Sequence, residues 1–211
     1  MVKEPFQSSS PAELKAVLIR DDSLNDPEYL GAGAMLREIM VTLALSLVMF
    51  LVINFVSARV RVVSVSMQPT LYEGDFVLVE RLSMHLGQFP KRGDVVVFEY
   101  PLNPSQEPYI KRVIGLPGDT IAVQSGKVTV NGRTLEEDYI SAPPAYNGEW
   151  VVPEGSLFVL GDNRNQSSDS HVWGMVPYEN LIGRALVVYY PVQHWETLSR
   201  DPNGDAMAAY P

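Results

Sequence analysis

Tyr109-Ile110-Lys111-Arg112-Val113-Ile114-Gly115-Leu116-Pro117-Gly118-Asp119 is an apolar run with two adjacent cations near its middle and turn residues at its end. Read as a β-strand, it alternates faces. Lys111 then stands with Tyr109 and Val113, while Arg112 points the other way with Ile110 and Ile114. Pro117 and Gly118 close the run, because they favour a tight turn over a longer strand. Similar short runs lie on both sides: Val60–Val65, Asp75–Val79 and Val95–Tyr100 before it, then Ile121–Val123, Lys127–Val130, Ser156–Leu160 and Ala185–Tyr189. Turn residues such as Arg92-Gly93-Asp94 separate them. Asn131-Gly132, between Lys127–Val130 and Arg133-Thr134-Leu135, is a two-residue hairpin signal. Beyond Val56 no helical period of useful length appears, apart from a possible turn near Leu82–Leu86. The expected fold is mostly β, a compact antiparallel sheet or barrel-like domain spanning residues 58–198. Within it, Tyr139–Trp150 is expected to be a loop and the most mobile part.

Upstream lies the one long apolar segment. Ile39–Val56 is 18 residues without a charge, about 27 Å as a helix against a hydrocarbon core of about 30 Å. A core helix would show a polar face, and here only Thr42, Ser46 and Asn54 interrupt the apolar run. A cleavable signal sequence would begin near residue 1 and end in small residues, but 38 residues precede this one and Ser57-Ala58-Arg59 follows it. Residues 35–57 are therefore expected to be a retained transmembrane helix, residues 1–34 a disordered acidic tail and residues 199–211 a flexible tail. Arg37 on one side and Arg59 and Arg61 on the other leave a one-charge bias. By the positive-inside rule that bias points to a cytoplasmic C-terminal domain.

The bulk composition narrows the function. Of 211 residues, 46% are hydrophobic and 19% charged, which suits a folded domain plus an anchor. The net charge of −9, with no basic stripe, argues against nucleic acid as a partner. Without a single Cys there is no disulfide, thiolate nucleophile or thiolate metal ligand. His85, His171 and His194 form no metal-binding spacing, and neither a phosphate loop nor a dinucleotide fingerprint is present. No metal and no cofactor are expected.

Two residues could carry chemistry together. In Ser64-Val65-Ser66-Met67-Gln68-Pro69-Thr70-Leu71 the chain must bend directly after Ser66, which would present that hydroxyl to a cleft. A serine hydroxyl needs a base to become nucleophilic. A lysine serves only when neutral, which requires burial among apolar groups, and the neighbours of Lys111 supply such an environment. Taken alone, Ser66 also fits a turn serine and Lys111 an edge-strand lysine.

Four separated motifs remove that ambiguity. They are Ser66-Met67-x-Pro69-Thr70-Leu71, Arg92–Phe98, Tyr109–Asp119, and Gly161-Asp162-Asn163-Arg164-Asn165-Gln166-Ser167-Ser168-Asp169-Ser170-His171-Val172-Trp173-Gly174. In this order, behind an apolar span, the chain resembles the type I signal peptidases, serine-lysine peptidases of bacterial, cyanobacterial or thylakoid membranes, over about residues 58–196. The resemblance implies a β-rich catalytic domain of the signal peptidase type. It also implies a membrane-bound endopeptidase that removes signal peptides from exported preproteins after small-x-small sites such as Ala-x-Ala. It assigns the nucleophile to Ser66 and the base to Lys111, oxyanion stabilisation to Ser64, and orientation of the lysine to Ser167. Val62, Met67 and Ile110 would line the pockets for the substrate's −1 and −3 side chains, and Arg112 would pair with Asp162. Asp169 would pair with an arginine two residues on, where this chain has His171, ordinarily uncharged at neutral pH. Val65 stands where many relatives have glycine, and Asn165 where Asp is usual. The resemblance places the catalytic domain on the export side of a plasma or thylakoid membrane, against the one-charge bias, with membrane lipid and signal-peptide-bearing preproteins as partners. Two rivals remain: a soluble self-cleaving Ser-Lys repressor, which would need a DNA-binding domain in place of residues 1–34, and a membrane-anchored β-rich binding or scaffold module without catalysis.

Overall fold

A computed structural model describes residues 27–198 of the chain. It divides into two units at Leu51/Val52. The first is helical and ends within α1 (Pro27–Val56), whose last turn is counted with the second; α1 contains Gly31–Val56, a stretch long and apolar enough to cross a bilayer, with its side chains exposed from residue 31 to residue 55. At 26 residues it is about 39 Å long, enough to span with tilt. The helix starts eight residues before the expected boundary at residue 35. Proline suits a first helical position, because its missing N–H would be unpaired there in any case. Residues 27–34 are thus helix and not tail; residues 1–26 and 199–211, expected to be tails, lie outside the described residues.

The second unit is built from antiparallel strands. They are β1 (Ser57–Arg61), β2 (Phe76–Glu80), β3 (Val95–Phe98), β4 (Tyr109–Gly115), β5 (Thr120–Gln124), β6 (Lys127–Val130), β7 (Arg133–Thr134), β8 (Gly148–Val151), β9 (Ser156–Leu160), β10 (Val176–Pro177), β11 (Leu181–Tyr190) and β12 (Glu196–Thr197). Two one-turn helices, α2 (Leu82–His85) and α3 (Ser170–Trp173), punctuate them. One sheet runs β1-β2-β11-β3-β4-β9-β10, with β12 on the flank of β11; the other runs β7-β6-β5-β8. The expected β-rich domain is present, and the first sheet curls. Val62 and Met67, just beyond β1, join Val95, Val97 and Ile110 of β3 and β4 in one buried cluster. A second cluster, around Ile114, Ile121 and Phe158, joins the sheets.

One turn recurs ahead of three strands. In Tyr72-Glu73-Gly74-Asp75, Lys91-Arg92-Gly93-Asp94 and Leu116-Pro117-Gly118-Asp119 the Asp N–H donates to the carbonyl three residues back, at 3.0–3.1 Å. The Asp carboxylate in turn accepts that residue's N–H at 2.6–2.9 Å. The third residue has φ between +84° and +94°, which glycine adopts without strain. The Asn131-Gly132 hairpin also forms, with Val130 opposite Arg133.

Two segments differ from the sequence expectation. β1 stops at Arg61, and residues 62–73 form no strand, although Val60–Val65 is apolar enough for one. Val62 still donates its N–H to Asp75 O at 2.8 Å and accepts from Gly74 N–H at 2.9 Å; beyond it the chain bends away, and Val62, Met67 and Leu71 are buried. Each such side chain contributes about 2 kcal/mol by leaving water. Tyr139–Trp150, expected to be entirely loop, ends in β8, where Trp150 lies opposite Ile121 of β5. A central apolar strand with an unpaired edge accepted a partner with little strand character of its own.

Candidate active site

β4 supplies the base and one wall of the site. Its pairing with β3 puts Val96 opposite Lys111 and Val97 opposite Ile110. The expected alternation therefore holds through Val113, after which a register shift with β9 sends Ile114 into the second cluster. Pairing of β4 with β9 begins at Arg112. The carbonyl of Ile110 accepts instead from Lys111 Nζ, at 3.1 Å. The same ammonium donates to Ser66 Oγ at 2.6 Å, across 45 residues of sequence. Lys111 is 4% exposed. Burial pulls its pKa from 10.5 down to about 8, against the opposing effects of Asp169 and Asp162. At that value a useful fraction of the amine is neutral near physiological pH, and a neutral amine can take a proton.

The turn segment 62–73 carries the nucleophile candidate. Ser64 Oγ lies 3.2 Å from Ser66 Oγ, so the two hydroxyls share a side. Met67 is fully buried and Leu71 N–H donates to Met67 O, which pins the residues just after Ser66. From the far side, Asn163 N–H donates to Ser66 O at 3.0 Å and Asn163 Nδ2 to Val65 O at 3.2 Å. Gly161 packs so closely that an added Cβ would collide with Ser66 O and with Ser167.

Beneath the two hydroxyls, Asp162 joins the segment of the serine to the strand of the lysine. Arg112 grips it through Nε at 2.8 Å and Nη2 at 2.7 Å, and Thr70 Oγ1 donates to it at 2.5 Å. Arg112 also donates to Gly93 O, and its guanidinium lies 4.0 Å from the centre of the Tyr139 ring. Burial, then Glu137, pushes the Tyr139 hydroxyl up, so it stays neutral and donates to Glu137 at 2.9 Å. Glu137 in turn holds both ends of the buried Arg164 guanidinium. Such a pair costs desolvation on both sides, which offsets much of its attraction.

Asp169 is fully buried. It accepts from Gly161 N–H at 2.9 Å and meets His171 Nδ1 at 2.6 Å. The histidine thus occupies the place in which the resemblance led us to expect arginine, and its ring stacks on Tyr146 at 3.8 Å. Asn165 accepts from Ala145 N–H and donates to Pro143 O. A carboxylate could not make the second bond. Ser167 departs from expectation: its Oγ is buried with no hydrogen-bond partner among the described residues, so the bond to Lys111 is not made here. Val62, Met67 and Ile110 all line the cleft that contains Ser66 and Lys111, a space of about 440 Å³.

Thr70, Asn163 and Arg164 stood inside the quoted motifs, yet nothing in their spacing assigned them a task. Glu137, Tyr139 and Tyr146 carried no signal, because a residue in a loop shows its contacts only after the chain has folded. Among the described residues no cluster of His, Asp or Glu could hold a metal ion.

Comparison with known proteins identifies the family. The family model of signal peptidase, peptidase S26, matches residues 35–190. Signal peptidase I of Leptolyngbya laminosa is 47% identical over 181 residues, covering 82% of this chain and 88% of its own. Probable signal peptidase I-1 of Synechocystis sp. is 44% identical over 171 residues, 77% of this chain and 87% of its own. The chloroplastic thylakoidal processing peptidase 1 of Arabidopsis thaliana is 40% identical over 156 residues, 66% of this chain and 46% of its own. A serine and a lysine in contact in one cleft therefore sit within a family match covering most of the sequence: the chain belongs to the signal peptidase family, peptidase S26.

Proposed function

We propose that this peptidase cleaves signal peptides from preproteins by a dyad in which Ser66 is the nucleophile and Lys111 the general base. The observation that carries it is the 2.6 Å contact between Lys111 Nζ and Ser66 Oγ in a buried, largely apolar setting. Neutral Lys111 takes the Ser66 proton as Oγ attacks the carbonyl of the −1 residue. The resulting ammonium gives that proton to the departing amine of the mature chain, leaving an ester on Ser66. Water, giving a proton to the same lysine, then attacks the ester, and the lysine passes that proton to Ser66 Oγ as the signal peptide departs. The Ser64 hydroxyl, 3.2 Å from Ser66 Oγ, is within reach of the oxyanion that forms at each step. No histidine lies within hydrogen-bonding distance of either group among the described residues.

The apolar floor of Val62, Met67 and Ile110 suits short −1 and −3 side chains, hence cleavage after small-x-small sites. Ser167 orients Lys111 once substrate excludes water, through the hydroxyl that is buried without a partner here. α1 anchors the enzyme in a plasma or thylakoid membrane, with the β unit on the export side, where preproteins emerge. The test is cleavage of a preprotein with an Ala-x-Ala site by purified full-length protein: wild type should cut once, after the second Ala, and Ser66→Ala not at all. Cleavage by the Ser66→Ala protein above a few per cent of wild type would overturn the assignment. Protease protection in sealed vesicles tests the membrane side.

A further inference from the structure

Two charged side chains line the same cleft and take no part in the chemistry: Arg61, at the end of β1, and Glu107, in the loop between β3 and β4. Both are exposed, and neither makes a hydrogen bond or ion pair among the described residues. From β1 through β2, β11 and β3 to β4 every neighbouring pair is antiparallel, so β1 and β4 run in the same direction. Arg61 precedes Ser66 by five residues and Glu107 precedes Lys111 by four. The serine and the lysine meet at one end of these runs, and the two charges stand toward the other.

Val62 and Ile110 lie between. They belong to the floor proposed above for the −1 and −3 side chains, and the present inference rests on that proposal. A peptide with its −1 carbonyl at Ser66 and its −3 side chain on this floor must continue N-terminally toward Arg61 and Glu107. In an extended peptide alternate side chains face opposite ways, so −1 and −3 point into the floor while −2 and −4 point out of it. Of the two outward side chains, −4 is nearer the charged end.

We propose that Arg61 and Glu107 form a charge-reading rim for substrate residue −4, with Glu107 taking a basic side chain and Arg61 an acidic one. Having both signs, the rim accepts either charge with little discrimination, and removing one sign makes the enzyme selective.

The experiment compares kcat/KM of the full-length enzyme in detergent micelles on three otherwise identical Ala-x-Ala peptides with Lys, Glu or Ala at −4. Wild type should cut the Lys and Glu peptides at rates within about twofold of each other. Glu107→Gln should favour Glu over Lys by about two- to fivefold, the scale of one partly solvated charge pair. Arg61→Gln should favour Lys over Glu by a similar factor. Both preferences should shrink at 0.5 M salt, where such interactions are screened within about 4 Å. A fold defect would lower all rates together and leave the Lys/Glu ratio in place, so opposed ratios report the rim alone. Ratios that stay at the wild-type value, or move the same way in both variants, overturn the proposal. Failure of wild type to cut even the Ala peptide overturns instead the cleavage function on which it rests.

Discussion

Replacing Lys111 by Met should make the protein inactive and, near neutral pH, more stable. Folding moves the lysine from water, with its ordinary pKa of 10.5, to a site where burial brings it to about 8. Between these values the unfolded chain binds more protons than the folded one, so wild-type stability rises with pH across that window and the penalty is complete below it. The penalty is about 3 kcal/mol at pH 7, about 2 at pH 9 and less than about 1 at pH 10. Methionine keeps an apolar stem of similar length without the charge, but loses the bonds to Ser66 Oγ and Ile110 O, together worth about 1–2 kcal/mol. The net expectation is a gain of about 1–2 kcal/mol at pH 7, turning into a loss near pH 10. Urea unfolding of the full chain in micelles, followed by tryptophan fluorescence at pH 7 and pH 10, measures both ends. A difference between variant and wild type that is the same at the two pH values would refute the account, because only the lysine's proton makes it change. Wild-type kcat/KM should follow the same group. The neutral fraction climbs from about a tenth at pH 7 to about nine tenths at pH 9, so the rate should rise about tenfold on the way up.

Further tests address the neighbours of the dyad. Ser64→Ala should lower kcat by about 10²–10³ with little change in KM, as expected for loss of one oxyanion donor, while Ser64→Thr keeps a hydroxyl and loses less; a wild-type rate in the alanine protein removes Ser64 from the site. Replacing His85, His171 and His194 together by Gln should leave most activity per folded molecule, with any cost appearing in the melting temperature, because His171 and His194 each meet a buried Asp; a folded but dead triple variant would demand a histidine base. Gly161→Ala should cut kcat at least tenfold, since its Cβ must displace the Ser66 carbonyl, and unchanged turnover would show that this backbone contact does not position the nucleophile.

Local interactions left clear marks on the sequence. Periodicity announced β4, β6 and β9, turn chemistry announced the Asn131-Gly132 hairpin, and an uncharged apolar run announced the helix that ends at Val56. In each case neighbouring residues decide the outcome together. Ser66 and Lys111 were identifiable as candidates, but from spacing alone each also fitted an ordinary turn or edge-strand residue. Their contact spans 45 residues and exists only because the sheet curls to bring Met67 and Ile110 into one cluster. The fall in the lysine's pKa likewise depends on which side chains exclude water around it. The end of β1 at Arg61, the pairing of Trp150 with β5 and the Glu137–Arg164 ion pair belong to the same class. Burial and long-range pairing decide them, and those energies are set by partners distant in sequence.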